Sequence, residues 1–356
     1  MIKNIAVLGG DGIGPEVIKE AIKVLEVICL KTGVKFNYNN ALIGAAAIDK
    51  EDHPFPDTTK SICKTSDAIL FGAIGDPKYD NDPKAKIRPE DGLLEMRKYL
   101  GLYANVRPIQ TYSSLIDASP LKKEIIKNVD FVVYRELTGG IYFGDKGVSK
   151  DGNTVYDTCS YSKKEIMRIS ELAFKEAYKR KKELTLVDKA NVLSTSRLWR
   201  EVVQEMAKTK YSDINVNYLF VDNAAMKIIT NPSDFDVILT ENMFGDIITD
   251  EASVITGSLG MLPSASIGDK ISLFEPIHGS YPQAAGKNIA NPMAMILSAG
   301  MMLNLAFNMN KESDILQKAV KDAIDSNIVT EDISSKNNFS TSYVGDWIAN
   351  RVTDLF

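Results

Sequence analysis

Two aspartates near residue 250 have the spacing of a metal-binding pair. Asp246 and Asp250 are four residues apart in segment 242–251, and a helix would place both on one face. Like charges at this spacing repel by roughly 0.2–0.5 kcal/mol, and a bound divalent cation would reverse the sign. An isolated pair is more often a solvated acidic face, but this segment is largely apolar. Asp222 is a third carboxylate, at the end of a predicted strand.

Three arginines stand where they could bind an anion. Arg97 lies in a helical pattern, and Arg135 ends a buried apolar run. Arg107 precedes a proline, which biases it toward an extended backbone. The guanidinium group is always charged and fits carboxylates bidentately. Each arginine alone is typical of a surface ion pair, whereas the three together would suit a substrate with more than one carboxylate.

Two further residues could move protons. Lys189 follows the predicted strand 184–187, and close to a bound metal its pKa could fall enough for it to act as a base. Tyr142 lies in a glycine-flanked segment and could donate a proton. The alternatives are a solvated lysine and a packed aromatic ring.

The glycine-rich turn 9–14 does not match the common nucleotide-binding motifs. Pro15 stands where the dinucleotide motif requires glycine and where a P-loop requires lysine. Segment 34–40 also lacks the acidic residue expected after the second strand of a Rossmann unit. A tight strand-to-helix turn is therefore favoured, and a Mg²⁺-dependent phosphotransferase is disfavoured.

Composition narrows the class of protein further. The chain has 356 residues and a net charge of −5. This charge argues against a protein whose main task is to bind nucleic acid or an anionic membrane. Two histidines and three scattered cysteines exclude a zinc cluster or a disulfide framework, so a metal site would use oxygen ligands, as Mg²⁺ or Mn²⁺ prefers. The cysteine usage suits the cytoplasm. The longest apolar stretch, 293–307, is predicted as a buried helix because it is too short for a membrane span.

Alternating apolar patterns predict an α/β fold. Continuous apolar runs, typical of buried strands, alternate with helical patterns; they lie at 68–71, 129–134, 184–187, 218–221 and 237–239. Segment 75–92 is predicted as a mobile surface loop. Segment 138–162 is predicted as a β-hairpin arm, with β-prone pieces at 141–143 and 154–156 around an Asp-Gly turn.

Taken in order, the motifs resemble the isocitrate/isopropylmalate dehydrogenase family of β-decarboxylating dehydrogenases. They are LGGDGIGPE, GLLEMRKYLGLYANVRP, YRELTGGIYFG, DKANVL, VDNAAM, NMFGDIITDEAS, EPIHGS, AGKNIANP and SYVGDWI. The resemblance implies a two-domain fold that is not a Rossmann fold, with a large mixed sheet flanked by helices. It implies a discontinuous, cofactor-binding first domain (1–102 plus 257–356) and a second domain (103–256) with the arm. It also implies a homodimer with shared active sites.

The resemblance assigns roles to individual residues. Arg97, Arg107 and Arg135 would bind the substrate carboxylates. Asp246 and Asp250 would bind Mg²⁺ or Mn²⁺, joined by Asp222 of the partner subunit, which also adjoins the substrate. Lys189 of the partner subunit would take the hydroxyl proton, and Tyr142 would protonate the enol left by decarboxylation. The nicotinamide cofactor would lie along His278, Gly279, Ser280, Gln283, Ala290 and Asn291.

Within this family, the helix before Arg97 indicates the substrate. Glu90, Leu93 and Leu94 match the isopropylmalate pattern, because two leucines offer an apolar pocket and would leave a third carboxylate without a partner. The implied reaction is oxidative decarboxylation of 3-isopropylmalate to 4-methyl-2-oxopentanoate and CO₂ in leucine biosynthesis. Alternatives are D-malate, tartrate, isocitrate or homoisocitrate as substrate, and a non-catalytic subunit of the same fold.

The cofactor preference depends on one substitution. Gln283 stands where NAD-preferring relatives commonly carry Asp, and NADP users carry Lys followed by Tyr. Glutamine can bind the ribose hydroxyls but does not repel a 2′-phosphate. NAD is therefore predicted, with weaker discrimination than an Asp enzyme.

Overall fold

The computed structural model describes residues 2–80, 87–336 and 338–356. The chain divides into two compact units, Met1–Leu102 with Gly257–Phe356, and Tyr103–Thr256. None of the helices in the described ranges has the length and hydropathy of a membrane span.

The first unit, built from both ends of the chain, contains five strands and eight helices within the described residues. The strands are β1 (Ile2–Gly10), β2 (Lys35–Ala41), β3 (Ala68–Ala73), β11 (Pro263–Gly268) and β12 (Ser272–Pro276). The helices are α1 (Gly14–Thr32), α2 (Ala45–Glu51), α3 (Asp57–Thr65), α4 (Pro77–Asp80), α5 (Pro89–Leu100), α11 (Met293–Leu305), α12 (Asn310–Asp325) and α13 (Thr341–Leu355). The strand order is β2-β1-β3-β12-β11, with only the last pair antiparallel.

The second unit contains five strands of the mixed sheet, which has ten strands in all within the described residues, and a separate two-stranded hairpin. Its strands are β4 (Leu102–Gln110), β5 (Asp130–Glu136), β8 (Glu183–Asp188), β9 (Asn215–Phe220) and β10 (Val237–Thr240), with β6 (Lys146–Val148) and β7 (Val155–Asp157) in the hairpin. Its helices are α6 (Lys123–Ile126), α7 (Lys163–Lys179), α8 (Ser194–Thr209), α9 (Val221–Thr230) and α10 (Asn242–Thr256). The sheet order is β4-β5-β10-β8-β9, and β4 is antiparallel to β5.

Burial follows the apolar pattern of the sequence. Strand β3 is buried along its whole length, as a parallel strand covered on both faces requires. Helix α11 is buried from Met293 to Gly300, so the long apolar stretch is a core helix, as predicted. The predicted α/β architecture, with a mixed sheet flanked by helices, is confirmed.

The glycine-rich turn is filled by a side chain of the chain itself. The Asp11 carboxylate accepts the backbone N–H groups of Ala45 and Ala46 at the start of α2, at 3.0 and 2.9 Å, and that of Gly75 at 2.9 Å. The turn's own N–H groups are bonded within the chain as well, because Asp11 N–H donates to the Ala73 carbonyl at 2.9 Å and Ile13 N–H to the Ser280 carbonyl at 2.8 Å. The turn therefore has a structural role as a connection between β1, α1 and the start of α2.

Three local predictions are wrong. Segment 141–143 is not a strand, because Gly140–Tyr142 forms a 3₁₀ turn and the hairpin pairs 146–148 with 155–157. Segment 75–92 contains α4 and the start of α5, although its central part, 81–86, lies outside the described residues. The run 218–221 ends one residue earlier, so Asp222 lies in the first turn of α9.

Candidate active site

Polar residues of the second unit lie together at the carboxyl ends of its parallel strands. Arg135 pairs in register with Thr240, and Thr240 with Val187, so β5, β10 and β8 end at the same level. Strand β9 ends beside Asp188 in the same way. Ligands of open α/β sheets bind at this edge. The order of the strands therefore explains why residues far apart in sequence lie together.

Arg135, Asp246 and Tyr142 form a buried to half-buried cluster. Arg135 Nη1 donates to Asp246 Oδ1, and the Tyr142 hydroxyl donates to Asp246 Oδ2 at 2.8 Å. Arg135 approaches α10 at Gly245, where a Cβ atom would meet the arginine Cγ at 2.6 Å. Because glycine leaves this space open, the guanidinium group can lie along the helix.

The electrostatics of this cluster suit acid chemistry. Burial alone would raise the pKa of Asp246, but Arg135, the Tyr142 hydrogen bond and Arg107 outweigh it and lower that pKa. Burial, with the bond to Asp246, raises the pKa of Tyr142 to about 12. Asp246 is therefore ionised and Tyr142 protonated at neutral pH. A protonated hydroxyl is the state that a proton donor needs.

Asp250 lies one helical turn after Asp246 and is more open. Its side chain is 70% exposed, against 36% for Asp246. Burial of the carboxyl group, together with the charge of Asp246, raises the pKa of Asp250, although Arg107 opposes this. Arg107 Nη1 lies 3.6 Å from Asp250 Oδ1 and also donates to Thr249. The predicted pair therefore does share one helix face, with two arginines beside it.

Lys189 and Asp222 form a second cluster of the same unit. Lys189 Nζ lies 2.5 Å from Asp222 Oδ1, and this hydrogen bond lowers the pKa of Asp222. The preceding residue, Asp188, is buried and bound by Arg200 through both carboxylate oxygens. Ser196 accepts the backbone N–H of Lys189 at 3.1 Å. The loop that carries the lysine is thus fixed at both sides.

The donor set around α10 fits a divalent cation in part. Carboxylate oxygens are the ligands that Mg²⁺ and Mn²⁺ prefer. Within the described residues of one chain, no three His, Cys, Asp or Glu side chains come together in a way that could hold a metal ion. Asp246 and Asp250 are two carboxylates on one helix face that could hold part of such a ligand set. Asp222 of the same chain does not complete it.

In the first unit, one face of α5 carries the predicted substrate residues. Glu90, Leu93, Leu94 and Arg97 recur at helical spacing. Leu94 is half-buried, whereas Leu93 packs partly against the core of this unit. Arg97 Nη2 lies 3.4 Å from Glu275, and its buried Nε has no hydrogen-bond partner among the described residues. An arginine with an unused buried donor suits an incoming anion.

A cavity of about 670 Å³ lies in the first unit. His278, Gly279, Ala290 and Asn291 line it, as does Asp332, which the sequence analysis did not single out. Ser280 and Gln283 are not among its lining residues in the described part of the chain. The Ser280 carbonyl instead accepts the Ile13 N–H at 2.8 Å.

One atom in this cavity indicates a ligand. His278 Nε2 is buried and has no hydrogen-bond partner among the described residues. Burial lowers the pKa of His278, so the ring is neutral at physiological pH. A neutral imidazole beside an apolar cavity of this size fits a flat, uncharged heterocycle such as the bases of a dinucleotide.

Two buried glutamates near Tyr142 were also missed. Glu136 accepts the backbone N–H groups of Thr138 and Gly139, and Glu241 accepts the Tyr161 hydroxyl at 3.0 Å. Burial raises the pKa of both carboxyl groups. The only sequence signal was their position next to strand ends, which many structural residues share.

Comparison with known proteins gives a consistent result. A family model for isocitrate/isopropylmalate dehydrogenase matches residues 4–348. The 3-isopropylmalate dehydrogenase of Bacteroides fragilis (strain YCH46) is 53% identical over 351 residues, which cover 98% of either chain. That of Aquifex aeolicus is 52% identical over 336 residues, covering 94% of this chain and 92% of the relative.

Solved structures agree with the sequence relatives. The isocitrate dehydrogenase of Methylococcus capsulatus superimposes with a TM-score of 0.86 at 33% identity, covering 99% of both chains. A β-decarboxylating dehydrogenase of Thermococcus kodakarensis gives a TM-score of 0.81 at 34% identity, covering 99% of this chain and 96% of the other. The resemblance predicted from the motifs is confirmed: the chain belongs to the isocitrate/isopropylmalate dehydrogenase family.

Proposed function

We propose that this protein catalyses the NAD-dependent oxidative decarboxylation of 3-isopropylmalate to 4-methyl-2-oxopentanoate and CO₂, a step of leucine biosynthesis. The curated relatives that share about half of its residues along nearly the whole chain carry this activity in their names. The observation that carries the mechanism is the Asp246 carboxylate, held between an arginine and a protonated tyrosine.

The arginines bind the substrate in this proposal. Arg97, Arg107 and Arg135 hold the two carboxylates of 3-isopropylmalate, and their side chains are mostly buried, which strengthens each charge. Leu94, with Glu90 and Leu93 on the same helix face, contacts the branched end. A third carboxylate at that end would be desolvated without a basic partner, which disfavours isocitrate.

Proton transfers fall to two side chains. Lys189 accepts the proton of the substrate hydroxyl, and Tyr142 protonates the enol that remains after CO₂ leaves. A bound nicotinamide would supply the hydride acceptor, and a bound divalent cation would supply a Lewis acid for the oxygens of the substrate. Asp246 and Asp250 hold the cation, Mg²⁺ or Mn²⁺. Arg135 and Tyr142 keep Asp246 ionised for that role.

The cofactor occupies the cavity beside His278. The neutral imidazole and the apolar walls receive the adenosine part, and Gly279, Ser280, Ala290 and Asn291 approach the rest of the dinucleotide. Gln283 is exposed and adds no charge, so NAD is accepted without strong rejection of NADP. The chain's three free cysteines are consistent with a cytoplasmic location.

The functional unit is a homodimer in this proposal. The carboxylate pair on α10 needs a third ligand that the same chain does not supply within its described residues. Asp222 of the partner subunit and Lys189 of the partner subunit fill these roles. In this proposal the partner subunit covers exposed apolar side chains of the hairpin and of α9 and α10: Val148, Val155, Tyr156, Met226, Ile247 and Val254.

A substrate panel tests the function. NADH absorbance is followed with Mg²⁺ or Mn²⁺ and 3-isopropylmalate, D-malate, tartrate, isocitrate or homoisocitrate. The highest kcat/KM is expected with 3-isopropylmalate, and EDTA should abolish turnover. Faster reduction of NAD with another acid would identify that acid as the substrate instead. No reduction of NAD with any of the acids would favour a non-catalytic subunit.

Metal binding has a matched pair of variants. Asp250→Asn should raise the Mn²⁺ concentration for half-maximal activity at least about tenfold, because it removes one anionic ligand. Asp314→Asn removes the same charge from the exposed face of α12 and should leave it unchanged. Equal effects of the two variants would contradict the assignment of the ligands.

The homodimer has its own test. Light scattering of the purified protein should give twice the mass of one chain.

A further inference from the structure

Asn242 has a buried amide whose two ends contact two different parts of the site. Its side-chain oxygen accepts Arg135 Nε at 3.1 Å and Arg135 Nη2 at 2.9 Å. The residue is 1% exposed. A single amide oxygen therefore receives the whole Nε/Nη2 edge of the guanidinium group, the edge that usually binds a carboxylate bidentately.

The other end of the amide reaches the segment that carries Tyr142. Asn242 Nδ2 donates to the Gly139 carbonyl at 3.1 Å, immediately before the 3₁₀ turn Gly140–Tyr142. The backbone N–H of Asn242 donates to the Tyr161 hydroxyl at 3.0 Å. Asn242 thus links the arginine, the tyrosine turn and the start of α10 by hydrogen bonds that are buried or partly buried.

The neutrality of the amide has an electrostatic consequence. Aspartate at this position could accept the same two N–H groups, but it would add a second carboxylate to the ion pair that Arg135 already forms with Asp246. Asn242 fixes the orientation of the guanidinium group without adding that charge. Asp246 already takes one arginine nitrogen, so a second carboxylate would leave the cluster with excess negative charge.

We propose that Asn242 is a positioning residue: its amide aligns Arg135 with the Tyr142 turn and, because it is neutral, adds no second anion to the Arg135–Asp246 pair beside which a substrate carboxylate would bind. This inference rests on the proposed function, in which Arg135 binds substrate. It goes beyond that function by assigning a separate task to a residue that touches neither substrate nor cofactor.

The test compares two substitutions at one site. Asn242→Ala and Asn242→Asp both remove the donor to Gly139. Asn242→Asp also adds a charge beside Arg135 and turns an oxygen toward the Gly139 carbonyl, so its KM is compared with those of both Asn242→Ala and wild type. Asn242→Ala should raise KM for the accepted substrate about tenfold through loss of alignment. Asn242→Asp should raise it at least about tenfold further, because a fixed anion competes with the substrate for the arginine. Asn310→Asp, an exposed residue at the start of α12, adds the same charge and should leave KM unchanged.

The outcomes separate this inference from its premise. A wild-type enzyme that accepts none of the five acids overturns the proposed function, whereas an active wild type with equal KM in both Asn242 variants overturns the neutrality argument. A purely structural asparagine would lower the unfolding temperature without splitting KM between the two variants. A change confined to the Mn²⁺ requirement would place the effect on Asp246 and also overturn the inference. If Asn242→Asp does not fold, Asn242→Ser replaces it: an unchanged KM in both neutral variants refutes the positioning role.

Discussion

Replacing Tyr142 by phenylalanine isolates one hydroxyl group. The ring stays, and with it the contact to the Arg135 guanidinium group, 5.9 Å from the ring centre. The variant loses the 2.8 Å hydrogen bond to Asp246 and the only proton on that side chain that can transfer at neutral pH. The substitution therefore separates a contribution to binding from a contribution to chemistry.

The two contributions differ in magnitude. A hydrogen bond to a half-buried carboxylate is worth about 1 kcal/mol after allowance for partial exposure, which is roughly a fivefold effect on a rate. Loss of a general acid costs about 100- to 10,000-fold in kcat. A fall of kcat by at least about 100-fold thus requires the loss of proton transfer and cannot come from the hydrogen bond alone.

Steady-state and single-turnover assays measure both. We expect KM for 3-isopropylmalate and the Mn²⁺ requirement to change by less than about fivefold, while kcat falls at least about 100-fold. NADH formation in a single turnover should fall less than release of the final keto acid, because the tyrosine acts after hydride transfer. A kcat within threefold of wild type would refute the role of Tyr142.

Three other predictions concern stability and cofactor choice. Gly345→Ala should destabilise by about 1–3 kcal/mol, although alanine usually favours a helix, because a Cβ there would lie 2.9 Å from the Cβ of the buried Glu20 and would also clash with its carboxyl group. Gly300→Ala, whose Cβ would only meet a Leu316 methyl at 3.1 Å, should change stability by less than about 1 kcal/mol. A stabilised Gly345→Ala protein would contradict the packing argument. Burial raises the pKa of Glu20 despite Lys23, so the folded state keeps this proton to higher pH than the unfolded state, and wild-type stability should fall as the pH rises above the ordinary value of 4.5. Glu20→Gln cannot titrate at this position and lacks this pH dependence. In urea unfolding, the free energy of unfolding of Glu20→Gln minus that of wild type should therefore increase as the pH rises above 4.5. A difference that stays constant with pH would contradict the raised pKa of Glu20. Gln283→Asp should raise the ratio of kcat/KM for NAD to kcat/KM for NADP at least about tenfold, because a carboxylate repels the 2′-phosphate of NADP. An unchanged ratio would mean that residue 283 does not lie beside the 2′ position of the bound cofactor.

Buried strands and charged side chains could be predicted from the sequence because each has a local signal. Continuous apolar runs marked β3, β5, β8 and β10, and the four-residue spacing put Asp246 and Asp250 on one helix face. Arg135 was recognisable because it ends such a run. In every case the evidence lay within about ten residues.

The errors arose where distant contacts decide the local structure. Segment 141–143 is β-prone, but the Gly140 N–H binds the Ser160 carbonyl and the chain closes into a 3₁₀ turn instead. Asn242 escaped notice because an uncharged amide has no signature of its own, and its partners lie about a hundred residues away. Asp332 was missed for the same reason, since only the folded chain brings it to the cavity wall.

The split construction of the first unit has a consequence for synthesis on the ribosome. Helix α1 packs against α13, and β3 pairs with β12, so the first hundred residues lack these partners until segment 257–356 has been made. About 250 further residues take tens of seconds to translate at roughly 5–20 residues per second. The second unit is complete once residue 256 has been made, about 100 residues before the end of segment 257–356, while the nascent N-terminal segment still exposes apolar surface. Deleting α13 should therefore impair the newly made polypeptide more severely than its distance from any catalytic side chain suggests.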